Sequence, residues 1–339
     1  IRRILREKRG CLAILAGMLI SLLVLDLGLN CYVLCQNIRR STTADTKYEY
    51  MYQLKQAPGR IPEDSYPAYA ETFSKENMGY ELNLTVIGLE KNNPFFPEIK
   101  SRGKDEISVS SSAAQKYNLE KGDTLTLEDK TNGKNDSFTV AEIVPYDAGL
   151  TCFMDIDGMR AVCGRESEDY NVLYSDHSLD LKAEQIYTVT EKKDVVKTGA
   201  VFMDIMMPLF FTMTGCGVLI FLIVLYQMVK VMIDRAGHSL SLMRLFGYRD
   251  RELKQLYLNG CFAVTAAGAV FLIPLAKWIM DQIYPSFVAN VACGLNFGWD
   301  WELYLIVYVG IIICYLIIQV LIMRKLKKIT PEEVLKRRE

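Results

Sequence analysis

Residues 198–233 read TGAVFMDIMMPLFFTMTGCGVLIFLIVLYQMVKVMI, a run that holds one acidic residue, Asp204, and one basic residue, Lys230. As a continuous helix these residues would extend for roughly 54 Å, whereas the hydrocarbon of a bilayer is roughly 30 Å thick. We therefore predict that residues 198–207 stand outside the membrane as a stalk. The helix would then cross the bilayer between Pro208 and Met232.

Three further apolar runs have the length of a membrane span, and the charged residues lie mostly between the four runs. Half of the residues are hydrophobic, and 39 Lys and Arg residues stand against 40 Asp and Glu residues. This partition excludes a single soluble globule. A net charge near zero also argues against a disordered chain and against nucleic acid as a partner.

The orientation follows from the positive-inside rule, which places Lys-rich and Arg-rich flanks in the cytoplasm. Bases are concentrated before the first run, between the second and third runs, and after the fourth run. Trp278, Trp299 and Trp301 lie near the opposite ends of runs three and four, at the depth that tryptophan prefers. We predict a multi-pass membrane protein with both termini cytoplasmic and the large domain outside.

The predicted fold class is an α-helical membrane protein with four transmembrane helices and an α+β extracytoplasmic domain between the first and second. The predicted segments, in chain order, are a cytoplasmic amphipathic segment (1–10), the first span (11–34), the extracytoplasmic domain (35–197), a stalk with the second span (198–233), a cytoplasmic coupling loop (234–255), the third span (256–276), an outer loop (277–302), the fourth span (303–323) and a cytoplasmic tail (324–339).

The domain between the first two spans is long enough to bury its own core. We predict that it begins with a helix over residues 43–77, broken by prolines and a glycine, and continues with strands. The predicted strands cover residues 82–89, 106–110, 124–127 and 137–144, with a short helix over 111–117. The domain carries more acidic than basic residues, which mildly favours a cationic client.

The stretch EISVSSSAAQKYNLEKGDTLTL, residues 106–127, resembles the strand, small helix, Gly-Asp turn and strand found in the extracytoplasmic domain of FtsX-like ABC transporter permeases of the MacB type. The segment SLSLMRLFGYRDREL, residues 239–253, resembles the coupling segment of the same family. The tail ITPEEVL, residues 329–335, resembles its carboxyl-terminal signature. The chain is therefore similar to such a permease, or to the carboxyl-terminal half of a duplicated one.

The resemblance implies a permease that couples ATP hydrolysis by partner ABC ATPase subunits to movement of the external domain. It also implies a second permease half or copy, contacts with membrane lipids, and a lipid, lipopeptide or antimicrobial peptide as the client. The alternative is a signal transmitter that activates a cell-wall hydrolase or a sensor kinase without moving cargo. No Gly-x-x-x-x-Gly-Lys-Ser/Thr motif occurs in the chain, so ATP hydrolysis is expected from the partner and not from this polypeptide.

The coupling segment is the predicted ATPase-docking site. Leu242, Leu245 and Phe246 form one apolar face at helical spacing, and Gly247 can end the helix. An amphipathic helix lying on the inner membrane surface would show the same face. The resemblance favours docking in a groove of the ATPase. The residues predicted to dock are Leu242, Arg244, Leu245, Phe246, Gly247 and Tyr248.

Asp26 interrupts the first apolar run, where a carboxylate is costly and is by default functional. The alternative is a tolerated polar residue that faces another helix or water. The sequence leaves both open.

Two cysteines, Cys152 and Cys163, lie in the body of the predicted external domain and form the candidate disulfide. No cofactor or metal site is expected, because the acidic residues around Asp155 and Asp157 lack the further ligands of a calcium loop. An external hydrolase built on His177 is also disfavoured, since no nucleophile motif accompanies it.

Overall fold

Four long helices carry the apolar runs of the sequence. In the computed structural model, which describes residues 8–58, 61–101, 103–130, 133–245 and 250–326, they are α1 (Lys8–Asp45), α4 (Lys192–Leu245), α5 (Asp250–Phe287) and α6 (Trp301–Leu326). Each contains a stretch long and apolar enough to cross a membrane. The predicted fold class, four membrane helices with an α/β domain between the first and second, is confirmed.

The described chain divides into two units. The membrane unit comprises the residues up to Cys31, from Pro208 to Tyr284 and from Gly298 onward. The α/β unit comprises Tyr32–Met207 and Pro285–Phe297. Most of the predicted amino-terminal segment, part of the coupling segment and most of the tail lie outside the described residues.

Close helix contacts build the membrane unit. A Cβ added at Gly217 of α4 would lie 2.9 Å from the backbone of Leu25 in α1, so the two helices approach more closely than any larger residue permits. Such small-residue contacts are typical of membrane interfaces. The core between the helices consists of large apolar side chains, among them Met18, Leu22, Leu225 and Tyr315.

The α/β unit is built on nine strands within the described residues. They are β1 (Tyr50–Leu54), β2 (Ser65–Asn77), β3 (Tyr80–Leu89), β4 (Glu106–Ser110), β5 (Thr124–Asp129), β6 (Lys134–Val144), β7 (Thr151–Asp155), β8 (Val172–Ser175) and β9 (Ile186–Glu191). Two short helices join them, α2 (Ser111–Tyr117) and α3 (Ile156–Val162).

Six of these strands form a closed ring in the order β3-β7-β4-β6-β5-β2, which closes because β2 also pairs with β3. β3–β7 and β4–β6 are parallel pairs, and the other pairs of the ring are antiparallel. The first residues of β2 pair instead with β8, which continues the sheet through β1 to β9. No strand of a closed ring is an edge strand. In the part of the sheet that extends beyond the ring, β9 is the edge strand.

The ring encloses an apolar core. Alternate residues of each strand point inward, as the pleat requires, and bury Leu84, Val86, Leu125 and Leu127 completely. α2 packs beside this core and is well defined at both ends. The Ser110 hydroxyl accepts a hydrogen bond from the Ala113 N–H at its start, and Asn118 adopts a left-handed backbone at its end.

The structure confirms the predicted strand over residues 106–110 and the predicted helix over 111–117. The predicted helix over 43–77 is wrong beyond Asp45, because β1 and β2 occupy that segment. The segment is rich in Tyr, which favours strands, and Tyr48 and Tyr52 are buried. Strands β7, β8 and β9 were not among the predicted elements.

The connection between α5 and α6 folds onto the α/β unit. The Lys116 Nζ donates to the Val288 carbonyl at 2.7 Å, the Asn77 Nδ2 donates to the Ala289 carbonyl at 3.3 Å, and the Asn37 Nδ2 donates to the Asn296 carbonyl at 2.8 Å. A Cβ at Gly294 would lie 2.9 Å from the Cα of Ser112, so only glycine fits against α2 there. Residues 285–297 are therefore fixed to this unit.

Candidate functional site

A cluster of polar side chains lies inside the membrane unit. It comprises Asn30 of α1, Lys277 and Asp281 of α5, and Trp299 just before α6, and we call it the polar cluster. Lys277 and Asp281, one helical turn apart, form an ion pair. The Asn30 Nδ2 donates to Asp281 Oδ1 at 3.3 Å, and the Trp299 Nε1 donates to Asn30 Oδ1 at 2.8 Å. Three segments that are distant in sequence thus share one hydrogen-bonded network.

The Lys277 ammonium also lies 5.4 Å from the centre of the Trp299 ring. A cation over an indole face is attracted by the ring quadrupole, and more strongly where water is excluded. Lys277 is almost fully buried, and its charge is therefore balanced by Asp281 and by this ring together.

Asp26 lies one helical turn before Asn30 and is fully buried. Neither of its carboxyl oxygens has a hydrogen-bond partner within the described part of the chain. The Lys277 charge acts on this carboxyl from nearby, as does that of Asp281. One buried ammonium thus lies within electrostatic reach of two carboxyls but is paired through hydrogen bonds with only one of them.

Removing the base from such a site would leave the fully buried Asp26 without a nearby positive charge and the partly exposed Asp281 without its ion-pair partner, which is costly. The cluster therefore adds hydrogen bonds and charge interactions to the apolar packing between α1 and α5. Asp26 itself was singled out from the sequence; its role in function stays a prediction.

Lys277 and Asp281 were assigned to an outer loop from the sequence and were missed as members of a site. The structure continues α5 to Phe287, so both lie on the helix. A signal was present: a Lys followed by an Asp four residues later, directly after an apolar helical run, is the spacing of a helical ion pair. No local sequence pattern indicated that Asn30 and Trp299 belong to the polar cluster.

The described part of the predicted docking segment lies at the end of a long helix. Leu242, Arg244 and Leu245 lie in the final residues of α4. Phe246, Gly247 and Tyr248 lie outside the described residues. α5 begins at Asp250, so a very short connection joins the two helices. Docking of these residues on an ATPase stays a prediction.

The candidate disulfide is not formed. Cys152 and Cys163 are both free. Cys152 lies on β7 within the ring core and is fully buried, whereas Cys163 follows α3 and is only partly buried. Burial raises the pKa of the Cys152 thiol to about 12 and that of Cys163 to about 11. Both thiols are consequently poor nucleophiles at neutral pH.

His177 lies beside Ser175 and Asp176, which gives the composition of a catalytic triad without its geometry. The Asp176 Oδ1 lies 2.8 Å from the imidazole Nδ1, and the Ser175 Oγ lies 3.3 Å from the same Nδ1. A triad needs the acid on one ring nitrogen and the hydroxyl on the other, so this arrangement cannot relay a proton from serine.

Two acidic residues, Asp155 and Asp157, lie at the start of α3. Asp155 occupies the N-cap position, and Asp157 pairs with Arg160 at 2.9 Å. Among the residues that the structure describes, no group of three or more His, Cys, Asp or Glu side chains could hold a metal ion.

Comparison with known families gives a match, and comparison with curated proteins gives none. Residues 211–331 match the family described as FtsX-like permease C-terminal. The match covers most of α4, all of α5 and α6, and the predicted docking residues. FtsX-like permeases are membrane components that work with ABC ATPase partners and are not themselves the ATPase. Residues 211–331 of this chain are thus similar to the C-terminal domain of FtsX-like permeases.

Proposed function

We propose that this chain is the transmembrane permease subunit of an ATP-binding-cassette transporter in a bacterial plasma membrane. ATP hydrolysis by partner ATPase subunits would move its α/β unit, and this movement would export or extract a lipid, a lipopeptide or an antimicrobial peptide. The single observation that carries the proposal is the continuity of α4.

α4 runs without interruption for 54 residues, which corresponds to about 81 Å. It begins directly after β9 and ends within the predicted docking segment. A helix transmits displacement along its axis because its length is fixed by its backbone hydrogen bonds. Pro208 lies inside α4 at the boundary between the two units, where the missing N–H weakens one turn and permits a bend.

The start of α4 is bonded to Glu49, the residue that precedes β1. The Lys192 N–H donates to the Glu49 carbonyl at 3.0 Å, and the side chains of the same two residues form an ion pair at 3.5 Å. Farther along, a Cβ at Gly199 would lie 3.8 Å from the Cα of Arg39. Both helices therefore enter the sheet as a packed pair, and movement of this pair reaches the strands directly.

The orientation belongs to the proposal: both termini and the docking segment are cytoplasmic, and the α/β unit is outside. The exposure of Trp278 within α5 and of Trp301 at the start of α6 supports an interfacial location for these two residues.

Docking is tested by charge insertion on one face of α4. Leu242→Asp places a carboxylate on the apolar face that the sequence predicts, and we expect loss of the ATPase from the purified complex. Leu240→Asp is the matched control, because residue 240 lies about 160° around the helix from residue 242. Equal retention of the ATPase by both variants would contradict docking through this face.

Transport is tested by the ATPase activity of the purified complex in lipid nanodiscs, with and without cationic peptides and lipids. Stimulation by a client supports export or extraction. A complex that no client stimulates and that retains a bound cell-wall hydrolase or sensor kinase would support the alternative, a signal transmitter without cargo.

A further inference from the structure

We propose that Lys277 exchanges its ion-pair partner, from Asp281 on its own helix to Asp26 on α1, when α1 and α5 move against each other. Asp26 is thus the second partner of the same base. The exchange itself depends only on side chains of the membrane unit, whereas its drive by ATP rests on the proposed function.

The two helices that carry these residues run parallel. A Cβ added at Gly268 of α5 would lie 2.5 Å from the Leu15 side chain of α1, so the helices are in contact there. Farther along both helices, the Asn30 amide of α1 donates to the Asp281 carboxylate of α5 at 3.3 Å. The contacts advance in the same direction along α1 and α5, which makes the two helices parallel neighbours.

Asp26 and Lys277 lie at the same level of this helix pair. Asp26 precedes Asn30 by four residues, and Lys277 precedes Asp281 by four residues, which is about one turn or 6 Å in each helix. Because Asn30 and Asp281 are in contact, the residues one turn earlier face the same interface. Both are buried, and the Lys277 charge acts on Asp26 more strongly than the Asp281 charge does.

One flexible side chain serves both acids. Lys277 carries its charge at the end of a four-carbon stem, and the ammonium extends along α5 to Asp281. Rotation about the bonds of this stem would turn the ammonium away from its own helix and toward Asp26. The first ion pair lies within α5, whereas the second would join α5 to α1.

The two acids differ in what remains to them without the ammonium. Asp281 keeps the hydrogen bond from the Asn30 amide, and its side chain is 34% exposed. Asp26 is fully buried, and neither of its oxygens has a hydrogen-bond partner among the described residues. Asp281 can therefore release the ammonium at a modest cost, whereas Asp26 would gain a donor that it lacks in the described part of the chain.

The Asp26 carboxyl destabilises the arrangement that the structure shows. A buried polar group without a partner costs free energy, and an apolar residue at position 26 would avoid that cost. Residues that break the rules of packing in this way concentrate at functional sites, where a second arrangement uses them. The exchange supplies such a use, because it gives Asp26 the charge that lies nearest to it.

A thermodynamic cycle of the two acids tests the exchange in the purified protein in nanodiscs. The unfolding equilibrium constants of Asp281→Asn, Asp26→Leu and the double variant are compared with that of the native protein. We expect each single variant to raise the constant by less than about tenfold, because Lys277 keeps one acid in either. The double variant should raise it by about tenfold or more beyond the product of the two single effects, because the buried ammonium then has neither acid.

Asp300→Asn is the matched control, because Asp300 is exposed and directly follows Trp299 of the polar cluster. Combined with Asp26→Leu, it should give only the product of the two single effects. The proposal is refuted if Asp281→Asn alone loses as much stability as the double variant, or if it does not fold, because Asp26 has then failed to replace Asp281.

Solid-state NMR locates the ammonium directly. The lysine ammonium nitrogens and the aspartate carboxyl carbons are isotope-labelled, the distances between them are measured by dipolar coupling, and Lys277→Arg assigns the Lys277 signal by its loss. We expect the Lys277 nitrogen to contact Asp281 in the native protein and Asp26 in Asp281→Asn. A Lys277 nitrogen that contacts no carboxyl carbon in Asp281→Asn would overturn the exchange.

The same measurement on the complex with the partner ATPase, free of nucleotide and trapped with ATP and vanadate, tests what drives the exchange. We expect Lys277 to contact Asp281 in one state and Asp26 in the other. An identical contact in both states, with the exchange present in Asp281→Asn, would overturn ATP as the drive but not the exchange. A failure of the proposed function is thereby distinguished from a failure of the exchange.

Discussion

The two units of this protein have surfaces of opposite polarity. The α/β unit buries apolar side chains such as Leu84 and Leu125 inside a closed ring of strands. The membrane unit also has an apolar core, but it exposes leucines and isoleucines along α6 and buries Asp26, Asn30 and Lys277 among its helices. What each unit exposes identifies the solvent around it, because lipid accepts apolar surface and water does not.

The largest expected effect concerns the buried base of the membrane unit. Lys277→Met removes the partner of Asp281 and the only base among the described polar side chains of this cluster. We expect the free energy of unfolding to fall by about 3 kcal/mol or more, because the buried Asp26 carboxyl is left in a low-dielectric interior without a nearby positive charge. Thermal unfolding of the purified protein in nanodiscs measures the loss.

Asp26→Leu serves as the matched control for that variant. It removes a buried carboxyl that has no hydrogen-bond partner within the described residues, so we expect stability to be kept or raised. Destabilisation by Asp26→Leu as large as that by Lys277→Met would show that the Asp26 carboxyl stabilises the buried Lys277 charge as much as Asp281 does.

The second prediction compares one substitution in both units. Leu84→Ala leaves a cavity in the ring core and should lower the free energy of unfolding of the α/β unit by about 3 kcal/mol. Leu305→Ala removes the same atoms from an exposed position of α6 and should cost less than about 0.5 kcal/mol. Hydrogen exchange of each unit is the measurement, and similar losses in both would refute the opposite polarity described above.

The third prediction uses the buried thiol of the α/β unit. The pKa of Cys152 is about 12 in the folded chain against an ordinary value of 9.0. Between these values the unfolded chain releases a proton that the folded chain retains, so stability falls as the pH rises. The expected loss from this group is about 1.4 kcal/mol per pH unit above pH 9.

Chemical unfolding of the α/β unit between pH 8 and pH 11, followed for the native protein and for Cys152→Ala, isolates this contribution. A variant with the same pH dependence as the native protein would show that other groups dominate. Mass spectrometry without reductant should also find both Cys152 and Cys163 as free thiols.

The smallest expected effect lies at the two-residue turn between β2 and β3, formed by Met78 and Gly79. Met78→Asn suits the positive φ of the turn and should raise the stability of the β2–β3 hairpin by up to about 1 kcal/mol. Hydrogen exchange of β2 and β3 measures the gain. Unchanged or lower protection would show that the methionine does not strain the turn.

Local sequence signals predicted some elements well. The helix over residues 111–117 has a serine at its start and an asparagine that accepts a left-handed backbone at its end, and both signals lie within a few residues. The segment after Asp45 was predicted as helix from its cluster of apolar residues, Tyr48, Tyr50, Met51, Tyr52 and Leu54, ahead of prolines and a glycine. Its strands form because β8 and β9, more than a hundred residues later, supply their hydrogen-bond partners.

The polar cluster shows the same limit at the candidate site. Asp26 was recognised because a single acid in an apolar run is conspicuous. The hydrogen bond from Asn30 to Asp281 joins residues 251 positions apart, and no local pattern encodes it. Only the packing of α1 against α5 brings the two together.

The way the two long helices enter the sheet has a mechanical consequence. α1 leads into β1 and β9 leads into α4, and Tyr50 and Glu191 form the pair of the β1–β9 ladder nearest to both helices. A force that separated the two helices would break the hydrogen bonds of this ladder one pair at a time, starting at Tyr50 and Glu191. A force that slid one helix past the other along their axes would shear the ladder and stretch all of its hydrogen bonds at once. The α/β unit therefore resists pushing and pulling along its helices far better than it resists their separation.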